Sequence, residues 1–272
     1  MSPLMIIGLL AVLLIAYVLL KPYWIAHKRQ KIRQRPFEKS WREILKRNVP
    51  YFYRMPADLQ LQLKQHIQVF LAEKQFVGFK GIEITDEIRV TIAAQACLLI
   101  LNRPTDYYSK LRYIYVYPVA FITHHSGHDG AGVLQNQKRV LSGESWNHGK
   151  VVLSWRDSKE GAKDFNDGRN VVIHEFAHQL DQETGSANGA PYLPNNSQHN
   201  WSSILTKAFQ ELQQRAVRGE PSLLDYYGAT NPAEFFAVAS EVFFEQPTQL
   251  QRDSIELYQQ LSQYYQVNPA IW

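Results

Sequence analysis

From Leu4 to Leu20 the chain is almost wholly aliphatic, and no charge falls in residues 1–20. At about 1.5 Å per residue such a helix reaches roughly 26–30 Å, the depth of a bilayer's hydrocarbon layer. The pattern predicts a transmembrane anchor over 1–20. A cleaved signal fits less well, because Met1-Ser2-Pro3 has no Lys or Arg and Lys21-Pro22-Tyr23-Trp24 offers no small-x-small cleavage site. Beyond it the periodicity changes. Leu59, Leu63, Ile67, Phe70 and Leu71 recur at helical spacing and predict a helix over 57–75, with another over 86–101 that Asp86 caps. Arg112–Tyr117 and Val151–Trp155 concentrate β-branched and aromatic residues and predict strands, with a tight turn at Asn147-His148-Gly149. Helical spacing returns near 169 and dominates to the end, including 200–217, 232–245 and 253–265. A small sheet followed by a helical half is an α+β layout.

Charge divides the chain differently. Residues 21–47 carry ten Lys or Arg against Glu38 and Glu43, whereas the whole chain is only +4, so the remainder is mildly acidic. Short flanks rich in Lys and Arg stay cytoplasmic, which orients the anchor with the folded part inside the cell. The stretch 21–48 reads as a basic juxtamembrane segment with interfacial Tyr23 and Trp24, either plainly solvated or lying on anionic headgroups. Residues 49–272 remain as one folded domain. Its acidic balance gives no support to nucleic-acid binding. The lone Cys97 cannot form an internal disulfide and fits a core position in a reducing compartment.

Candidate chemistry lies in Val171-Val172-Ile173-His174-Glu175-Phe176-Ala177-His178-Gln179-Leu180-Asp181. Residues four apart share a helix face, so His174 and His178 can grip one zinc ion while Glu175 acts as general base without ligating. Asn170 or Asp167 can cap this helix, and Gly185 can stop it. Catalytic zinc takes a third protein ligand. Asn231-Pro232-Ala233-Glu234 opens a helix in which Glu234, Glu241 and Glu245 share a face, so spacing does not choose among them. Apolar flanking favours Glu241, since a buried carboxylate needs a metal, an ion pair or a proton. Asp181 competes, but its short side chain so near in sequence suits receiving an imidazole N–H better than ligation.

The motifs Gly81–Glu87, Ile92–Cys97, Ile114–Pro118, Gly143–Trp146, Val151–Trp155, His174–Asp181 and Asn231–Glu241 together resemble the MtfA family, over roughly residues 50–272. The resemblance implies a zincin-like peptidase of the gluzincin type with one zinc ion, and Glu241 as the downstream Glu ligand. It also implies a repressor partner, because the family's best-known member binds and inactivates the repressor Mlc and has aminopeptidase-like activity. The chain departs from that soluble member at its aliphatic start. The expected function is a zinc metallopeptidase at the inner face of the cell inner membrane, acting on a peptide or protein. The alternative is a regulatory protein that sequesters a repressor and uses zinc structurally.

Lesser candidates complete the reading. Val151–Trp155 or Leu141–Trp146 can serve as an edge strand that pairs with substrate. Tyr226 and Tyr227, just ahead of the Glu241 helix, can assist an oxyanion. Loops Gly161–Gly168 and Thr184–Ser197 flank the metal helix. His124, His125, His128, His148 and His199 lack paired ligand spacing and read as surface histidines.

Overall fold

The computed structural model describes residues 3–128, 134–141, 143–146, 149–185, 187–193 and 198–272, with backbone alone over 121–146 and at 184, 198 and 199. Its first element, α1 (Pro3–Arg33), runs well past the aliphatic stretch. It is long and apolar enough to cross a membrane, and nothing in its apolar window is buried. The second half behaves differently. Ile32 enters the core, and the Arg29 guanidinium donates to Glu73 at 2.8 Å and Asp106 at 2.9 Å while lying over the Tyr107 ring. The helix α2 (Lys39–Asn48) then buries Ile44 and Leu45 against α4 (Asp86–Leu98), so much of the basic segment is folded onto the domain.

The helix α3 (Ala57–Glu73) stops earlier than its periodicity suggests. Its next residue, Lys74, is buried, and its amine donates to the carbonyls of Tyr108 and Leu111 at 2.7 and 2.8 Å, which draws the chain into β1 (Gln75–Gly78). The strand β2 (Tyr113–Tyr117) pairs parallel with β1 after the α4 crossover, and with β6 (Lys150–Ser154) on its other side. The strand β5 (Gly143–Trp146) pairs antiparallel with β6, giving the order β1-β2-β6-β5. Interior position explains why β6 reads Val151-Val152-Leu153, buried on both faces. A separate antiparallel pair, β3 (Phe121–His128) and β4 (Leu134–Leu141), projects between β2 and β5 in sequence.

Trp155, expected to end the second strand, instead opens α5 (Trp155–Lys163) behind the cap Ser154. Helices follow: α6 (Val171–Asp181), α7 (Gln198–Arg218), α8 (Pro232–Glu245), α9 (Pro247–Asp253) and α10 (Ile255–Tyr265). The sheet and these helices enclose a core that reaches from Phe70 and Cys97 through Phe176 to Phe236, Phe243 and Tyr265. Polar pairs also sit within it: His66, for one, is buried with Nδ1 2.8 Å from the Tyr107 hydroxyl. Burial, with the nearby Arg33 charge, lowers its pKa from 6.5 to about 4.

Candidate metal centre

Asn170 starts α6 by accepting, on its side-chain oxygen, from the N–H groups of Val172 and Ile173 at 3.1 and 3.0 Å. Val172, Ile173, Phe176, Ala177 and Leu180 then bury one side of the helix. His174 and His178, on the remaining side, keep 13 % and 10 % of their side chains exposed, enough for a ligand to reach them. The helix packs between α8 and β5.

Three ligand atoms converge. His174 Nε2 lies 3.2 Å from His178 Nε2, and Glu234 Oε2 lies 3.0 and 3.3 Å from the two nitrogens. Ligands at about 2.0–2.1 Å from a tetrahedral zinc stand about 3.3 Å apart, so this triangle matches one face of such a site. Two nitrogens and a carboxylate also form the donor set that zinc takes in hydrolases. Among the described residues His174, His178 and Glu234 are the group able to hold a metal ion. Without a metal, burial opposes an imidazolium at His174, yet Glu234 and Glu241 outweigh it and raise its pKa well above 6.5. Burial alone would raise Glu234, but its bonds with His174 and His178 hold its carboxyl far below the ordinary range.

Glu241, favoured by the sequence reading as third ligand, stands elsewhere. Its Oε1 lies 2.7 Å from His174 Nδ1, the nitrogen turned away from the triangle, and its Oε2 accepts from the Asn170 N–H at 2.5 Å. The side chains explain the exchange. The two acids stand seven residues, about 10 Å, apart along α8, and the one in its first turn falls in the triangle. Glu245, one turn further, lies behind Glu241 and accepts from the Asn170 side-chain amide at 3.0 Å and the Arg169 N–H at 2.9 Å. Burial pushes its carboxyl up to about 9 against the Asn170 bond, with Asp167 and Glu241 adding to the rise. Asn170 thus caps α6 and ties it to α8 twice.

Asp181 is buried, and its Oδ2 accepts the Gly189 N–H at 2.7 Å rather than an imidazole N–H. Burial raises its pKa, opposed by that bond and by the charge of His178. Gly189 is itself a junction: its carbonyl accepts from the Trp201 indole at 3.1 Å. Its φ is +76°, and a Cβ there would meet the Pro232 carbonyl oxygen at 2.5 Å. Tyr227 stands at the site, its ring centroid 5.9 Å from that of His174 and its side chain partly exposed. The described contacts do not bring Tyr226 there. Glu175 is buried, and its charge contributes to raising the pKa of His174.

The two candidate substrate strands differ in their place in the sheet. Val151–Trp155 is interior, whereas β5 ends the sheet and packs beside α6. Ser142 within Leu141–Trp146 lies outside the described residues, as do the side chains of His124, His125, His128 and His199, all of His148, and parts of the loop Thr184–Ser197. The sequence signal for Glu234 was its place three residues after the Asn231 cap, where its N–H donates to Asn231 Oδ1 at 3.0 Å. Its shared face with Glu241 had made it a candidate, and apolar flanking had weighed against it.

The model of the glucose-regulated metallo-peptidase M90 family matches residues 24–266. An uncharacterized protein of Synechocystis sp. (strain PCC 6803) is 38% identical over 260 residues, covering 95% of this chain and 94% of its own. The Mlc titration factor A of Enterobacter sp. (strain 638) is 32% identical over 232 residues, covering 84% of this chain and 86% of its own. That of Klebsiella pneumoniae (strain 342) is 32% identical over 235 residues, covering 85% and 87%. The family match takes in every residue of the triangle and of the brace behind it, and with these identities it establishes that the chain belongs to the glucose-regulated metallo-peptidase M90 family, with the Mlc titration factors A among its relatives.

Proposed function

We propose that the chain is a zinc metallopeptidase, held by α1 in the cell inner membrane with its domain on the cytoplasmic side. The ligand triangle carries this reading: His174 Nε2, His178 Nε2 and Glu234 Oε2 stand 3.0–3.3 Å apart, as three ligands of one zinc ion do. Glu241 takes the orienting role, accepting the Nδ1 proton of His174 so that Nε2 keeps its lone pair for the metal. Bound zinc supplies Lewis acidity, making water easier to deprotonate and the peptide carbonyl easier to attack. Glu175 takes the proton from the attacking water and returns it to the leaving amine. Tyr227, beside His174, offers its hydroxyl to the carbonyl oxygen as charge builds there. The end strand β5, next to α6, aligns an extended peptide by main-chain pairing.

The anchor rests on an aliphatic window that buries nothing in the domain, and the orientation on the Lys and Arg that follow it. The deciding experiment measures zinc content and cleavage of a peptide library together. Glu175→Gln keeps the metal and loses hydrolysis, whereas His178→Ala loses both; turnover surviving in either variant defeats the assignment.

A second reading is favoured by the relatives' printed name: a regulator that binds a transcriptional repressor, with hydrolysis secondary. Its mark is repressor capture that survives Glu175→Gln, together with no turnover of any peptide by the wild type.

A further inference from the structure

The second half of α1 has two distinct flanks. Ile25, Arg29 and Ile32 turn toward the domain, where Ile32 is buried and Arg29 is paired with Glu73 and Asp106. Lys21, Trp24, Lys28 and Lys31 fall together on an adjoining arc, spanning about 80° at 100° per residue. All four are exposed, and the Lys28 amine lies over the Trp24 ring at 5.6 Å. No ion pair with an acid occurs for these lysines among the described residues, in contrast to Arg29. Beside this arc is a cleft of about 320 Å³, lined by Trp24, His27, Lys28, Lys31 and Arg35 against Ile32 and Ala72, with no carboxylate on its walls.

The position of the arc suits one class of ligand. Trp24 lies about 6 Å along the helix from Leu20 and Lys28 about 12 Å. The headgroup layer beyond the hydrocarbon is about 5–8 Å deep, so Trp24 falls within it and Lys28 within one Debye length, about 8 Å, of its outer edge. An indole at that level beside unpaired ammonium groups matches the glycerol and phosphate of a lipid.

We propose that this flank of α1 and its cleft bind the headgroup of an anionic phospholipid from the membrane that the helix spans. The inference rests on the anchoring reading and adds a lipid preference to it. A basic segment that merely obeys the orientation rule would show no such preference, so the two separate in one experiment. The full chain in detergent micelles is offered phosphatidylglycerol and phosphatidylcholine and examined by native mass spectrometry. Alkaline extraction of cell membranes carrying the same variants reports anchoring independently. Phosphatidylglycerol is expected to be retained at least ten-fold over phosphatidylcholine. Lys28→Glu with Lys31→Glu abolishes that preference, Arg42→Glu with Lys46→Glu on α2 preserves it, and every variant resists alkali. Equal retention of the two lipids, or equal losses from both pairs of substitutions, overturns the proposal while leaving the anchor standing. Release of the wild type by alkali overturns both.

Discussion

Glu241→Gln separates the two roles open to that carboxylate. Both of its oxygens accept, one from His174 at Nδ1 and one from the Asn170 N–H. Glutamine has one acceptor and one donor, so a single conformation cannot serve both. With its oxygen on Asn170, the amide N–H₂ faces His174 Nδ1 and moves the imidazole proton to Nε2, the atom that must ligate. With its oxygen on His174, the buried Asn170 N–H meets another donor. Either outcome costs about 1–3 kcal/mol, the range for a buried group left without its partner. Because the penalty falls on the metal-binding form, zinc affinity drops by about 5- to 150-fold. Glu234→Gln removes a ligand outright and weakens zinc more than Glu241→Gln does. The assay is zinc competition with a chelator on the purified protein, with thermal unfolding of the metal-free form as the check on folding. Unchanged affinity in Glu241→Gln refutes the orienting role. A larger loss there than in Glu234→Gln refutes the triangle and restores Glu241 as the ligand.

Gly189→Ala places a side chain at φ +76° with its Cβ 2.5 Å from the Pro232 carbonyl oxygen, so unfolding by urea should show a loss of about 2–4 kcal/mol. An unchanged midpoint would mean that the loop does not hold α8 against α6. His66 has a folded pKa of about 4, against 6.5 unfolded, so the unfolded chain binds more protons between those values. Its contribution is present above pH 6.5 and drains away at about 1 kcal/mol per pH unit as the pH falls toward 4. Urea midpoints at pH 7 and 5 should converge in His66→Asn, and a slope identical to wild type would exclude His66 as the source. Zinc removal by chelator should lower the melting temperature of the wild type but barely affect His178→Ala, as calorimetry would record.

The elements that sequence periodicity announced are those whose burial is one-sided or complete. The regular spacing of Leu59, Leu63 and Ile67 marked α3, and the β-branched runs marked β2 and β6. Short elements held by tertiary contacts gave no such signal: β1 depends on the Lys74 amine finding two carbonyls, and α5 on Ser154 as a cap. The paired histidines and their helix were legible because the two imidazoles sit four residues apart. The third member was not, since Glu234 and Glu241 share a face and choosing between them needs the distance from each to His174. Apolar neighbours did identify Glu241 as a carboxylate that needed a partner, and it has one 2.7 Å away in His174 Nδ1.

The triangle draws on helices that the chain makes far apart in time. A ribosome releases His174 and His178 well before Glu234, and until α8 docks, the growing polypeptide has two imidazoles and no third hand to close them. Copies that end before α8 therefore lack the third ligand atom of the triangle. On the metallopeptidase reading, competence waits for α8, a timing written into the order of the helices.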